Sequence, residues 1–379
     1  MLIVDAHLDL AWNALQWERD LLLSAYTIRT REPGVPGPGR GQGTVALPEL
    51  RRGRVALCFA TLLARSTGSP APQVDYLSPT QAFAVARGQL AYYRALERQG
   101  HARIICDRAA LEAHWAAWEA YDGAESNVLR AESGDEAARS AQHAARSAQR
   151  SALRLGFVIA MESADPILAP EELADWHAAG VRVIGPAHYG PGRYAGGTGT
   201  ELGLTERGVA LLAEMERLGI ILDVTHLSDQ AFWQALERYG GPVLASHNNC
   251  RALVPHQRQF SDEQLRALIA RGAVIGAACD NWMVVPGWRK DGSPNPPARL
   301  AHVVDHIDHI CQLAGSSAHA AIGSDLDGGF GREQSPLDLD TIADLQQIAG
   351  LLAARGYAEA DIAAIMHGNW VGLLRRCWG

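Results

Sequence analysis

Two hydrophobic patterns alternate along most of the chain. Short runs of aliphatic and β-branched residues predict buried strands, and longer stretches with apolar residues every three or four positions predict amphipathic helices. The candidate strands are 2–8, 54–62, 156–162, 181–187, 219–226, 242–247, 273–279 and 319–325. The candidate helices are 80–99, 170–179, 206–218, 229–238, 262–271, 298–313 and 338–355. Ser261 with Gln264 fits a capping box, Ser228 precedes another helix, and Gly219 and Gly272 follow helices as stop signals.

Strands that alternate with helices are typical of the α/β class, and eight of them favour a (β/α)8 TIM barrel. A doubly wound open sheet would show the same alternation, so the count alone does not choose between the two. A barrel with insertions can use residues 1–379 as a single unit. Residues 122–154 are rich in Ala, Ser, Gln, Glu and Arg, which predicts an inserted surface helical segment without chemistry of its own. The Pro- and Gly-rich stretch 33–43 predicts a surface loop, favoured over a mobile flap.

Composition narrows the classes of partner and compartment. The net charge is −8 over 379 residues, so no basic surface indicates a nucleic-acid partner. Six scattered cysteines without CxxC spacing indicate a reducing compartment rather than a disulfide framework. No signal-peptide pattern opens the sequence and no apolar run is long enough to span a bilayer. We therefore expect a cytoplasmic protein with no membrane partner.

The ends of the candidate strands carry the chemistry. Functional groups of a (β/α)8 barrel lie at the carboxyl ends of its strands. His7 and Asp9 stand two residues apart, so on a strand they project to the same side. Later strands end at Glu162, His188, His226, His247 and Asp325. Six of eight strands thus finish on a metal-binding or acid/base side chain, which predicts a metal centre.

The ligand types suit zinc, and Mn²⁺ or Co²⁺ could substitute. Three histidines and two carboxylates exceed the three protein ligands of one catalytic zinc, which favours two Zn²⁺ sharing Glu162 with a bridging hydroxide as nucleophile. Asp325 is then left to transfer protons, and His188, if it is not a ligand, could stabilise the oxyanion. Lys290 is the only lysine and lies in a polar loop, which argues against a Schiff base or a carbamylated-lysine bridge.

Two further segments hold candidate residues. Arg258 follows the His247 strand and could hold a substrate carboxylate in a bidentate pair, although its spacing fits a surface salt bridge equally well. Residues 302–309 place His and Asp at helical spacing but lack an HExxH pattern. For 302–309 we expect a solvated helix face.

Five segments resemble the membrane dipeptidase (renal dipeptidase) family of zinc peptidases, and this chain is similar to its bacterial-type soluble members. The five segments are 5–10, 203–205, 218–226, 246–248 and 322–328, and they occur in the family's order over nearly the whole chain. The resemblance implies a (β/α)8 barrel with two zincs, which would be bound by His7 with Asp9, by His226 with His247, and by a bridging Glu162. It also implies that His188 and Arg258 contact the substrate and that Asp325 is the acid/base group. Family members cleave dipeptides, some accept a D-residue on the C-terminal side, and homodimers are common.

Three readings of function follow. The leading one is a dinuclear zinc dipeptidase that hydrolyses small dipeptides (L-L, and L-D as a further option) and forms a homodimer. An alternative is an amidohydrolase acting on N-acyl amino acids or lactams at the same metal centre. A third is a non-catalytic scaffold, which the presence of Asp325 and all five metal ligands disfavours. Departures from the family pattern near the pocket walls, among them Tyr189 after His188 and Gln259 after Arg258, leave the substrate preference open.

Overall fold

Parallel strands form a ring at the centre of the molecule. The computed structural model describes residues 1–68, 71–130 and 153–378. Within them the strands are β1 Ile3–Leu8, β2 Val55–Leu63, β3 Ala102–Ile104, β4 Leu155–Glu162, β5 Val181–Gly185, β6 Ile221–Asp223, β7 Val243–Leu244, β8 Ile275–Ala277 and β9 Ala320–Ile322. The hydrogen-bonded order is β7-β6-β5-β4-β2-β1-β9-β8, and β3 adds to β4 outside this path. A parallel bridge between Ala245 and Ile275 joins the β7 and β8 ends. The predicted (β/α)8 barrel is confirmed, and the open-sheet alternative is wrong.

Helices surround this ring. Within the described residues they are Leu10–Gln16, Ala25–Arg31, Leu47–Arg52, Pro79–Arg98, Arg108–Arg130, Leu173–Ala178, Glu206–Leu218, Asp229–Arg238, Asp262–Ala270, Asn281–Val284, Leu300–Ala314, Gln347–Ala354, Glu359–Ala363 and Asn369–Cys377. Short 3-10 segments lie at Pro170–Glu172, Arg332–Gln334 and Ile342–Gln346, and one π turn lies at Ala364–Gly368. Every residue of β1, β2 and β4 is buried, because each strand packs on both faces. Continuous apolar runs therefore mark these strands in the sequence.

Local signals set the helix ends. Ser261 and Gln264 form the predicted capping box, and the Ser228 side chain accepts the backbone N–H of Ala231. Gly219 ends its helix with a left-handed φ of 68°, a conformation that costs little without a Cβ. Each of these helices is followed by a strand of the barrel, so the stop signals also fix where the next strand begins.

The 302–309 segment differs from its prediction. His306 is fully buried, accepts the backbone N–H of Cys250 at Nδ1 and donates from Nε2 to the carbonyl of Val284. The helix Leu300–Ala314 packs against the barrel with the face that holds His306, so the expectation of a solvated face is wrong at this position. A histidine whose two nitrogens both find backbone partners can be buried at little cost.

Two other predicted segments have different outcomes. The 33–43 stretch follows the helix Ala25–Arg31, and its outer residues are exposed. Its inner end is held in place, since Arg19 donates to the carbonyl of Gly39 at 2.7 Å and Glu32 accepts the N–H of Gly41 at 2.7 Å. Of 122–154, residues 122–130 continue a helix, and 131–152 lie outside the described residues. No helix in the described ranges has the length and apolar character needed to cross a membrane.

Candidate active site

The predicted site residues gather at the carboxyl end of the barrel. His7 lies in β1, Asp9 directly follows the end of that strand, and Glu162 is the last residue of β4. The other four follow the ends of their strands by three residues: His188 after β5, His226 after β6, His247 after β7 and Asp325 after β9. Because all these strands are parallel and neighbouring, their ends meet at one mouth.

One carboxylate oxygen, Oε1 of Glu162, lies at the centre of the cluster. The imidazole Nε2 atoms of His226, His7 and His247 lie 3.2, 3.4 and 3.4 Å from it, and that of His188 lies at 3.6 Å. The Nε2 atoms of His226 and His247 are 3.0 Å apart. His7 Nε2 is also 3.9 Å from a carboxylate oxygen of Asp9 and 3.9 Å from one of Asp325.

Two of these residues have a backbone conformation that L-residues seldom adopt. His226 has φ 67° and Asp325 has φ 58°. A left-handed backbone costs a residue with a Cβ roughly 1–2 kcal/mol, and such strain concentrates at functional sites. The chain turns sharply at both positions, three residues after the end of a strand.

Two buried carboxylates inside the barrel hold neighbouring strands in register at the site. Asp5 accepts the backbone N–H groups of His7 and Ser324 and the Ser324 hydroxyl. Asp223 in β6 accepts the N–H groups of Thr225 and Ser246. Ser324 and Ser246 directly precede Asp325 and His247. Each carboxylate thus fixes the backbone that carries a site residue on the adjacent strand.

The hydrogen bonds of His226 determine which of its two ring nitrogens carries the proton. Nη2 of Arg258 lies 3.3 Å from Nε2 of His226, and because a guanidinium cannot accept a hydrogen bond, Nε2 supplies the lone pair. The Thr198 hydroxyl, 3.0 Å from Nδ1, then accepts from Nδ1 and donates to the carbonyl of His226 at 3.2 Å. Nδ1 therefore carries the proton and Nε2 presents a lone pair to the cluster. A hydrogen bond at the outer nitrogen is the usual way in which proteins orient a histidine toward a metal.

The charge state of the cluster fits divalent cations. Burial raises the pKa of Asp9 to about 7, and the negative charge of the Glu162 carboxylate adds to this increase. Burial also raises the pKa of Asp325, with Glu162 and Asp9 adding to the effect. Burial lowers the pKa of His226 and His247, which keeps their nitrogens neutral and able to bind metal. Carboxylates that are buried close together disfavour one another's ionised form, and a positive charge placed between them stabilises that form.

The geometry supplies three overlapping groups whose ligand atoms lie within 4.8 Å of one another. They are His7 with Asp9 and Glu162, Glu162 with His226 and His247, and His7 with His247 and Asp325. His7 Nε2 is buried and has no hydrogen-bond partner among the described residues, although it points at Glu162. An unpartnered imidazole nitrogen aimed at carboxylates fits a position for a metal ion. The residues present therefore fit the predicted centre.

His188 and Arg258 border the cluster on the side of the open cavity. Burial lowers the pKa of His188 to about 4 although Glu162 opposes this, and Arg65 and Arg258 lower it further. Arg258 is 3% exposed, donates from Nη1 to Asn248 at 2.6 Å, and donates from Nη2 to the carbonyl of His247 at 2.8 Å. Its Nε has no hydrogen-bond partner within the described ranges. The surface-salt-bridge interpretation of Arg258 is wrong, because the guanidinium is buried at the pocket.

A cavity of about 140 Å³ opens over the cluster. Its apolar wall contains Trp12, Leu63 and Val74, which pack with Trp17 in a small hydrophobic cluster separate from the barrel core. The exposed Lys290 and the buried Asp280 lie on another part of the lining. The space suits a molecule of a few residues at most.

Sequence reasoning missed three residues that bear on this site. Asp280 directly follows the seventh candidate strand, and Arg65 follows β2 by two residues. The strand-end rule that found the other groups would have found both. Thr198, by contrast, lies in the connection between β5 and the helix Glu206–Leu218, and no periodic signal marks it.

Comparison with known proteins identifies the family of this chain. The family model described as membrane dipeptidase (peptidase family M19) matches residues 1–377. The chain therefore belongs to the membrane dipeptidase family. It is accordingly a metallopeptidase by family.

Individual relatives are more distant. An uncharacterized protein from the pqqA 5′ region of Klebsiella pneumoniae is 33% identical over 215 residues, covering 55% of this chain and 76% of the relative. Dipeptidase tcpJ of Claviceps purpurea is 30% identical over 204 residues, which span 53% of this chain and 45% of that protein. A metallo peptidase from Rhodobacter sphaeroides, solved with a phosphinate mimic of the dipeptide L-Ala-D-Ala, superposes with a TM-score of 0.74 at 23% identity. The superposition covers 100% of this chain and 99% of the neighbour and shows the shared fold.

Proposed function

We propose that this protein is a dinuclear zinc dipeptidase that hydrolyses the peptide bond of small dipeptides with a free C-terminal carboxylate. The observation that carries the proposal is the convergence of three imidazole Nε2 atoms on one oxygen of Glu162 beside a buried arginine. In this proposal His7 and Asp9 hold one metal ion, His226 and His247 hold the other, and Glu162 is shared. Mn²⁺ or Co²⁺ could replace Zn²⁺, because the donor set contains only nitrogen and oxygen.

Arg258 sets the direction of the substrate. Two of its guanidinium nitrogens are held by Asn248 and the His247 carbonyl, and the rigid fork suits a carboxylate. The C-terminal residue of a dipeptide then lies on the His226 side of the cavity. Its N-terminal residue points toward the apolar wall next to Asp9. A cavity of about 140 Å³ restricts the substrate to short peptides.

Two residues carry the proton and charge chemistry. Two bound divalent cations would lower the pKa of a water molecule and polarise the substrate carbonyl. Asp325 accepts the proton of the attacking water and delivers it to the leaving amine, a role suited to a partly buried carboxyl with a raised pKa. The neutral His188 donates a hydrogen bond to the oxygen that becomes negative.

The deciding experiment measures amino-acid release from a panel of L-L and L-D dipeptides. Zinc-loaded protein is compared with chelator-treated protein and with the same protein after zinc is restored. We expect zinc-dependent release, and we expect L-D members to be cleaved because a structural neighbour was solved with a mimic of L-Ala-D-Ala. Absence of release from every dipeptide, with two metal ions verified per chain, would contradict the proposal.

An N-acyl amino acid or lactam hydrolase remains the second candidate at the same centre. Such substrates also carry a carboxylate for Arg258, but they lack the free amine of a dipeptide. Matched pairs of a dipeptide and its N-acetyl derivative separate the two functions, since a dipeptidase prefers the free amine. The single-unit organisation of residues 1–379, the cytoplasmic location and the homodimer stay predictions, and light scattering of the purified protein would test the last of them.

A further inference from the structure

We propose that Arg65 is a positioning residue that fixes the tautomer of His188 and so makes His188 a hydrogen-bond donor toward the substrate. The inference rests on the proposed function, since it gives His188 its role in that reaction. It concerns a residue in the chain segment after β2, outside the set of metal-binding groups.

The contact between the two side chains has only one arrangement of hydrogens. An Nη atom of Arg65 lies 3.1 Å from Nδ1 of His188. A guanidinium donates hydrogen bonds and cannot accept them, so Nδ1 of His188 must supply the lone pair. In a neutral imidazole the proton then resides on Nε2, which faces the cluster 3.6 Å from Glu162.

This tautomer is the reverse of the one found at His226. Thr198 leaves the inward nitrogen of His226 with a lone pair, as a metal ligand requires. Arg65 leaves the inward nitrogen of His188 with a proton, as a donor to an oxyanion requires. The outer partner of each histidine thus separates a ligand from a donor although both rings face the same carboxylate.

Arg65 itself is held firmly. Its Nε lies 3.0 Å from a carboxylate oxygen of Asp75, and that carboxylate is 1% exposed. The backbone N–H of Arg65 donates to the carbonyl of Val74, and its carbonyl accepts the N–H of Tyr76. Asp75 also accepts the backbone N–H of Thr67. The Asp75 ion pair and the two backbone hydrogen bonds therefore hold Arg65 beside His188, although Nε itself makes no hydrogen bond within the described residues.

The test compares Arg65→Met, Arg65→Lys and the exposed control Arg217→Met in the zinc-loaded enzyme. We expect Arg65→Met to lower kcat at least tenfold with KM changed less than threefold, because the lost donor acts in the transition state. Lysine can still donate to Nδ1, so Arg65→Lys should recover part of the activity. Since Arg65→Met leaves the buried Asp75 without its counter-charge, Arg65→Met with Asp75→Asn is the variant to use if the single change fails to fold.

A double-mutant cycle separates positioning from a general structural effect. In a His188→Ala background, Arg65→Met should change kcat less than twofold, because no imidazole remains to be oriented. An undiminished loss in that background, or wild-type kcat in Arg65→Met, would overturn the inference.

A spectroscopic measurement decides the matter independently of turnover. Long-range ¹⁵N–¹H correlation of histidine-labelled, zinc-loaded protein, assigned with His188→Ala, should show His188 protonated at Nε2. A proton on Nδ1 would overturn the inference even in an active enzyme. A wild-type protein that cleaves no dipeptide while His188 is protonated at Nε2 would instead refute the proposed function and leave the Arg65 contact intact.

Discussion

Replacing Arg258 with methionine should remove the recognition of the substrate carboxylate. Arg258 is 3% exposed, so the charge pair that it would form with a substrate carboxylate would be almost fully removed from water. Truncating one partner of a buried, hydrogen-bonded charge pair costs about 2–5 kcal/mol. A loss of about 3 kcal/mol corresponds to roughly 150-fold in kcat/KM. Most of that loss should come from KM, because the carboxylate is held equally in the ground and transition states.

The control for this variant is a matched substrate. A dipeptide amide has no C-terminal charge, so Arg258→Met should affect its kcat/KM less than about threefold. Arg258→Lys keeps the charge but cannot form the two-pronged pair, and it should fall between wild type and methionine. Zinc content must be measured in each variant, because Nη2 of Arg258 lies 3.3 Å from Nε2 of His226. Equal losses for the free acid and the amide would refute the role of Arg258.

Four other changes test separate parts of the structure. His226→Ala should lose at least one zinc per chain and all turnover. Asp325→Asn should keep both zincs but lower kcat by roughly 10²–10⁴. Measurement of zinc content together with steady-state kinetics checks both predictions. Gly328→Ala should lower kcat at least tenfold with zinc retained, because its Cβ would lie 2.0 Å from Oδ1 of Asp325. His306, whose pKa burial lowers to about 4, binds its proton mainly after unfolding. It should therefore cost about 3 kcal/mol of stability as pH falls from 6.5 to 4, and urea unfolding of metal-free wild type should show a steeper pH slope than that of His306→Gln.

Most strands of the barrel could be predicted from the sequence, because strands that are buried on both faces appear as continuous apolar runs. The candidate strand 156–162 corresponds to Leu155–Glu162 to within one residue. The strand Ala102–Ile104 was missed, since three residues are too short to form a periodic pattern. The C-terminal helix Asn369–Cys377 was missed as well, and it packs on the barrel through Trp370, whose indole donates to the carbonyl of Ile322.

The candidate site shows a similar division. His7, Glu162 and the other strand-end groups could be placed because a parallel barrel brings the ends of its strands together. The contacts that orient them could not be placed in the same way. The hydrogen bond between Thr198 and His226 joins residues 28 positions apart through an irregular connection. The burial of His306 was equally hidden, because only the packed structure supplies backbone partners for both of its nitrogens.

The single lysine has a practical consequence. Lys290 is exposed and lies at the mouth of the cavity, and the rest of the sequence offers no other ε-amine. An amine-directed fluorophore would therefore attach at this rim, besides the amino terminus, without any cysteine being added or removed. Such a label would report ligand entry as a change in emission. The native chain thus contains its own attachment point for following occupancy of the cavity in real time.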